Sequence, residues 1–222
     1  MTQPYVYVIH LKERTDRKKQ FQEAWTAAGL PTEHLHWFPA VRGVNLSNTE
    51  IGQFHTHAKS RKARAGRVGC YCSHVKAIEQ AIQLQQFPLL ILEDDSLPVE
   101  PMDIQRLFST APTEANLLYF GALPVRKRKT LRAQRYCHRK TQGWSRPTRG
   151  TQLYGGHAYG FRNATAAQDV LALLKEKPMT FDSLLVRYQK LHPTRVAIHC
   201  PFRFFQGEGY SNIEGMFLER PF

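Results

Sequence analysis

The sequence predicts an α/β fold: one domain over residues 1–222, with a mostly parallel central sheet flanked by helices. Three observations predict it. Pro88-Leu89-Leu90-Ile91-Leu92 is an unbroken apolar run, which is how a strand covered on both faces reads. Strand-like stretches alternate with stretches of helical period, the order of a layered sheet with crossover helices. Finally, 42% of the residues are apolar and they are spread through the chain, enough for a sizeable core. No run approaches the ~18 apolar residues of a membrane span.

Residues 5–11 are apolar and read as the first strand. Arg14-Thr15-Asp16-Arg17 opens a helix to about Ala28, with Phe21, Ala24, Trp25 and Ala28 at helical spacing, and Gly29-Leu30-Pro31 stops it. Residues 36–41 are a second strand, and 45–60 are irregular or a short helix. A helix over 69–85 carries Val75, Ile78, Ala81, Ile82 and Leu84 as an apolar stripe, and the acidic strand follows at once. Leu117-Leu118-Tyr119-Phe120-Gly121 is another strand. Residues from about 125 to 150 are basic and poor in apolar side chains and predict a long loop, of the kind that forms lids and binding loops. Residues 154–161 return to strand-like sequence around a Gly155-Gly156 turn. A helix over 164–175 turns Ala167, Val170, Leu171 and Leu174 inward, Phe181-Asp182 opens another to Leu191, and 195–200 form the last clear strand. The aromatic, glycine-rich tail from Pro201 is expected to pack on the domain.

Lys and Arg number 31 against 18 Asp and Glu, a formal charge of +13. Such a surface attracts polyanions: nucleic acid, anionic headgroups or phosphorylated glycolipid. The excess is concentrated in residues 59–67 and in Arg126-Lys127-Arg128-Lys129 with Arg132, Arg135, His138, Arg139 and Lys140. Each block is either a solvated segment or a docking surface. The start, Met1-Thr2-Gln3-Pro4, lacks the features of a signal peptide, so a cytoplasmic location is expected, with peripheral contact at the inner face of an anionic membrane as an option. Cys70, Cys72, Cys137 and Cys200 are then expected to be reduced. Cys70-Tyr71-Cys72-Ser73-His74 has the residue types of a zinc site, but no second pair completes it, and buried small hydrophobes are the expected reading.

The chemistry concentrates at Leu92-Glu93-Asp94-Asp95. Open α/β sheets place ligands beyond the carboxyl ends of their strands. Three adjacent carboxylates repel one another there unless something positive neutralises them. Hard oxygen donors suit Mg²⁺ or Mn²⁺, and such an ion can hold a diphosphate. The bland alternative is a solvated loop start.

Several separated pieces stand in one order: Val8-Ile9-His10-Leu11 with Arg14-Thr15-Asp16-Arg17; Ala40-Val41-Arg42-Gly43; Gly69-Cys70-Tyr71-Cys72-Ser73-His74; Leu92-Glu93-Asp94-Asp95; Gly156-His157-Ala158-Tyr159; Phe181-Asp182; and an ending through Pro201, Gln206 and Ser211-Asn212-Ile213. This order, from residue 5 to about 213, resembles glycosyltransferase family 25, the lipooligosaccharide biosynthesis and procollagen galactosyltransferase family. The resemblance implies a GT-A-type fold, a nucleotide-sugar donor (usually UDP-galactose), a divalent metal and inversion at the anomeric carbon. Arg67 stands where many members carry a glutamate.

The resemblance implies roles residue by residue. Glu93 and Asp95 are expected metal ligands for Mn²⁺ or Mg²⁺, with Asp94 near the ribose; a capping role at the next turn is the alternative for each. Leu11, Arg14, Arg17, Ser73, His74 and Tyr159 are expected around the donor, although Arg17 also fits an ordinary helix surface and His74 a buried hydrogen-bonded histidine. Asp182 is expected to be the general base that takes the acceptor proton, against an N-cap of its helix. His199 is a candidate third metal ligand, against a core histidine. The expected partners are a UDP-hexose and a saccharide or glycolipid acceptor such as lipooligosaccharide. A nucleic-acid-binding protein would account for the charge but has no recognition motif here, and an inactive sugar-binding relative would not need the intact acidic triplet.

Overall fold

In the computed structural model the described residues are 2–58, 60–124, 143–147, 153–211 and 216–218. The strands are β1 (Tyr5–His10), β2 (Leu35–Pro39), β3 (Leu89–Glu93), β4 (Ser96–Pro98), β5 (Leu117–Tyr119), β6 (Leu123–Pro124), β7 (Gly143–Ser145), β8 (Leu153–Tyr154), β9 (Ala158–Phe161), β10 (Val196–Cys200), β11 (Phe204–Gln206), β12 (Gly209–Ser211) and β13 (Met216–Leu218). The helices are α1 (Thr15–Ala27), α2 (Asn48–Gly52), α3 (Arg61–Gln83), α4 (Ile104–Thr110), α5 (Ala164–Glu176) and α6 (Phe181–Leu191).

Seven strands form the central sheet in the order β2-β1-β3-β9-β5-β10-β7. Five of them run one way; β9, inserted between β3 and β5, and the edge strand β7 run the other. This is the expected α/β fold, with a sheet that is parallel in the main. Leu89, Leu90, Ile91 and Leu92 are completely buried, as the central position of β3 requires. Alternation divides them between two apolar layers. Leu89 and Ile91 pack under α3, α5 and α6 with Ile78, Val170 and Leu185. Leu90 and Leu92 pack toward α1 and α4 with Phe21, Trp25 and Leu107.

The helices follow from local chemistry. In α1, Phe21 and Trp25 sit four residues apart and stack at 5.4 Å. Gly29, at φ +65°, closes it: Leu30 N–H donates to the Trp25 carbonyl at 3.2 Å and Gly29 N–H to that of Thr26 at 2.9 Å. Within 45–60, Ser47 and Glu50 form a capping box for α2.

Helix α3 begins well before the expected residue 69. Ser60 caps it by accepting the Ala63 N–H at 3.2 Å, so Arg61 to Arg67 of the first basic block form its opening turns instead of a loose segment. Its approach to the 40–45 segment explains two glycines. A Cβ on Gly43 would lie 2.0 Å from the Ala65 carbonyl oxygen, and one on Gly69 would lie 2.6 Å from that of Val41. The pieces Ala40–Gly43 and Gly69–His74, distant in sequence, are two sides of one backbone contact.

The region expected as a single loop corrects at its far end. Gly143–Ser145 is strand β7, paired antiparallel with β10, and Trp144 anchors it: its Nε1–H donates to the Leu107 carbonyl at 3.2 Å and its ring meets Phe120 edge-on. Counting apolar residues missed a strand held by one aromatic side chain. The basic run Arg126 to Lys140 lies outside the described residues. The tail does pack on the domain as far as β11, where Phe204 is buried against Trp25 and pairs with Pro98 of β4. No helix among the described residues is long and apolar enough to cross a membrane.

Candidate active site

Strands β1 and β3 end side by side, with Ile9 opposite Glu93. Because β9 is antiparallel, its entry turn, Gly155 to His157, reaches the same sheet edge, and Glu93 N–H donates to the His157 carbonyl at 3.0 Å. The acidic triplet leaves β3 at this junction.

Asp94 is buried and both of its oxygens accept. His10 Nδ1 lies 2.9 Å from Oδ2, and Arg17 donates to Oδ1 at 2.8 Å. Arg17 also pairs with Asp95 Oδ2 at 3.1 Å. Burial works against the charge on Arg17, yet Asp95, Asp94 and Glu93 outweigh it and hold the guanidinium above its ordinary value. Arg17, expected around the donor or on a helix surface, is thus paired with the acidic triplet. Arg14 is turned to Asp16, with 2.7 Å between Nη2 and Oδ2, and that pair holds the Asp16 carboxyl down at about 2. Half-buried Leu11 offers its carbonyl to Arg14 N–H at 2.8 Å, closing the turn from β1 into α1.

Gln206, on β11, connects the other two carboxylates. Its Nε2 lies 3.4 Å from Glu93 Oε2 and 3.2 Å from Asp95 Oδ2. Gly207 N–H donates to the Asp95 carbonyl at 2.7 Å, which fixes the tail beside the triplet. One amide donor between two carboxylates marks a position where positive charge is favoured. Two hard oxygen donors at that position fit Mn²⁺ or Mg²⁺.

On the α3 side, Glu93 Oε1 accepts from His74 Nε2 at 3.3 Å, and Cys70 Sγ is 3.9 Å away. Burial pushes the His74 pKa down to about 3, against the pull of Asp182, so the ring is neutral. A carboxylate only accepts, so Nε2 carries the hydrogen and Nδ1 accepts from the Tyr159 hydroxyl, 3.0 Å away. Phe181 stacks on the imidazole at 4.0 Å, nearly parallel. Burial also raises the Cys70 thiol and the Tyr159 phenol well above their ordinary values, and Glu93 adds to both. Tyr159 is completely buried and works beneath the site as a support for His74, where the sequence suggested donor contact.

Ser73 corrects in the same way. Its hydroxyl donates to the Gly69 carbonyl at 2.7 Å and accepts the Val41 N–H at 2.8 Å, so it fastens α3 to the 40–45 segment. His199 also corrects. It stands on β10, beyond β9 and β5 from β3 in the sheet, and its side chain alternates to the face opposite Ile198 and Glu93. There it contacts Trp144 and the Pro201 carbonyl, the core-histidine alternative.

Asp182 occupies the second position of α6, not the N-cap, which is Thr180. Its Oδ1 accepts the Gly156 N–H at 3.1 Å. Its neighbour Phe181 stacks on His74, which puts the start of α6 on the α3 side of the triplet. Sequence reasoning held His10, Cys70 and Gln206 in the matching order without giving any of them a role in the site. Gln206 is 113 residues from Glu93, a separation that no local pattern spans.

The family model described as glycosyltransferase family 25 (LPS biosynthesis protein) matches residues 3–185. The chain belongs to glycosyltransferase family 25. Two proteins named glycosyltransferase 25 family member are similar to it. One, from Anopheles gambiae, is 30% identical over 134 residues, covering 53% of this chain and 21% of that protein. The other, from Drosophila pseudoobscura pseudoobscura, is 26% identical over 194 residues, covering 81% of this chain and 28% of that protein. This family 25 chain therefore spans about a quarter of the length of those relatives. Among solved structures, a glycosyltransferase involved in glycosylation of the major capsid of PBCV-1 aligns over 90% of the chain and 83% of its own, at 14% identity and a TM-score of 0.45. Mouse xyloside xylosyltransferase 1 aligns over 90% and 85%, at 11% identity and a TM-score of 0.46.

Proposed function

We propose that this family 25 chain is a metal-dependent, inverting glycosyltransferase of the GT-A type. It moves a hexose, in the first instance galactose from UDP-galactose, onto a hydroxyl of a saccharide or glycolipid acceptor such as lipooligosaccharide. The observation that carries the reading is the meeting of Glu93 and Asp95 around the Gln206 amide, with Asp182 on the α3 side of the same strand end. Membership of the family supplies the donor and acceptor classes.

Glu93 and Asp95 are the residues that would hold Mn²⁺ or Mg²⁺. Bound there, the ion supplies Lewis-acid stabilisation of the charge that develops on the leaving diphosphate. The remaining work falls to the chain. Arg17 bridges Asp94 and Asp95 in a buried setting. Neutral His74, fixed by Tyr159 and Phe181, orients Glu93 through Nε2–H. Asp182 takes the proton of the acceptor hydroxyl as its oxygen bonds to the anomeric carbon and the bond to the diphosphate oxygen breaks. Gly156 N–H holds that carboxylate in one orientation. The charge of +13 favours an anionic acceptor, or an anionic membrane surface that carries it.

The test is initial-rate transfer and donor hydrolysis over a panel of nucleotide sugars, with Mn²⁺ and with excess EDTA. Turnover of UDP-hexoses that disappears in EDTA and returns with Mn²⁺ is the expected result. Turnover indifferent to EDTA would remove the metal from the reading, and no turnover of any nucleotide sugar would remove the reading itself.

A further inference from the structure

We propose that Cys70, His74 and Glu93 form a second metal site, selective for a thiophilic ion such as Zn²⁺, and that filling it antagonises the hard-cation site at Glu93 and Asp95. The site itself stands on its own geometry; the antagonism rests on the function proposed above.

Cys70 and His74 are four residues apart on α3, so their side chains share one face of the helix. Glu93 meets that face from the end of β3. The three ligand atoms all lie within 4.8 Å of one another, with His74 Nε2 at 3.3 Å and Cys70 Sγ at 3.9 Å from Glu93 Oε1. Zinc bonds of ~2.0–2.3 Å in tetrahedral geometry give ligand–ligand edges of roughly 3.3–3.6 Å. The histidine–carboxylate edge already has that length, and the sulfur, within 4.8 Å of both other ligand atoms, closes by a side-chain rotation of about 1 Å. This set of sulfur, nitrogen and oxygen donors suits Zn²⁺ and is a poor one for Mg²⁺ or Mn²⁺. The pair that the Cys-Tyr-Cys-Ser-His segment lacks in sequence is thus supplied by a carboxylate from another element.

The surroundings can adapt to a metal. Coordination through Nε2 puts the imidazole hydrogen on Nδ1, and the Tyr159 hydroxyl, 3.0 Å away, turns from donor to acceptor. Cys70 binds as thiolate and releases its proton to solvent. Phe181 keeps the ring in plane. Three protein ligands leave the fourth position to solvent, as in accessible zinc sites.

Glu93 makes the two sites interfere. Its Oε1 faces Cys70 and His74, while its Oε2 faces Gln206 and the Asp95 side. A dication on Oε1 withdraws negative charge from Oε2 and repels a second dication a few ångströms away. Zinc bound at Cys70 therefore weakens Mn²⁺ bound at Asp95.

Cobalt(II) is the probe, because a cysteine thiolate bound to it gives a near-ultraviolet charge-transfer band. Wild-type protein titrated with Co²⁺ should develop that band, and one equivalent of Zn²⁺ should abolish it. Cys70→Ser should lose the band and weaken zinc by more than the ~10–100-fold typical of an outer-shell change, while Cys72→Ser, whose side chain is not in the cluster, keeps both. Mn²⁺ affinity, read by electron paramagnetic resonance, should fall at least ~10-fold in saturating zinc. Absence of the thiolate band in the wild type, or zinc affinity unaltered in Cys70→Ser, would overturn the site. Mn²⁺ affinity indifferent to zinc would overturn the antagonism. Zinc binding without any Mn²⁺ binding would leave this site standing and sink the metal in the proposed function.

Discussion

Asp182 Oδ1 accepts the backbone N–H of Gly156 at 3.1 Å, so the carboxylate near the start of α6, whose N-cap is Thr180, is tied to the turn entering β9. A side chain at Gly156 would be tight, with its Cβ 3.0 Å from the same oxygen and 3.2 Å from the Phe181 ring, so both would have to give by a few tenths of an ångström. The relationship joins two pieces of the sequence, Gly156-His157 and Phe181-Asp182, into one device for holding a carboxylate.

Asp182→Asn preserves that bond, since the amide oxygen still accepts from Gly156. We expect kcat to fall by ~10²–10⁴-fold, the loss typical of a general base, with UDP affinity nearly unaltered by calorimetry. A variant that keeps its kcat, or one that loses UDP binding, would reassign the residue.

Asp95→Asn removes one ligand charge and part of the partnership with Arg17 and Gln206. Transfer should be abolished while circular dichroism stays native, and wild-type transfer should stop in excess EDTA. Activity of the variant that continues in Mn²⁺ would show that Asp95 is structural.

Arg17→Met leaves Asp94 and Asp95 buried without their guanidinium. Breaking a buried charge pair by deleting one partner costs about 3–5 kcal/mol, and urea unfolding should show a loss of that order. A loss below about 1 kcal/mol would mean that solvent or His10 already stabilises the acids.

His74 is held neutral by burial, with its pKa lowered from 6.5 to about 3. Between those values the unfolded chain binds a proton that the folded chain refuses, so this contribution is complete above pH 6.5 and is lost as pH falls toward 3. Each pH unit in that window costs about 1.4 kcal/mol. Urea midpoints of EDTA-treated protein should therefore fall between pH 7 and pH 5 more steeply in the wild type than in His74→Gln. Equal slopes would place the acid sensitivity elsewhere.

Gly69→Ala tests the contact between α3 and the 40–45 segment. The added Cβ would stand 2.6 Å from the Val41 carbonyl oxygen and 2.8 Å from Gly43 N, backbone atoms that can move only together. Overpacking of this kind costs about 1–3 kcal/mol. A melting temperature equal to wild type would show that the helix shifts freely.

Much of the fold was legible because each element carries its own signal. The run Leu89 to Leu92 has no polar side chain to turn toward water, so it is a central strand in any arrangement that buries it. The apolar spacing of α5 and the Phe181 start of α6 matched what formed, and the acidic triplet at a strand end did lead to the candidate site. Where composition and local structure disagreed, local structure won. Ser60 caps a helix whose first turns are cations, alanines and a glycine, and Trp144 holds a strand in a stretch poor in apolar residues.

The sequence by itself determined the α/β class, the family and the carboxylates at the end of β3, because period, capping and a run of acids are properties of neighbouring residues. Only the tertiary structure decided what each polar group serves. Arg17 turns to the acids, Ser73 and Tyr159 become supports, His199 falls on the other face of the sheet, and Gln206 arrives beside Glu93 from the tail. Those outcomes depend on which face a strand presents and where the chain returns, and on the requirement that every buried donor and charge find a partner there.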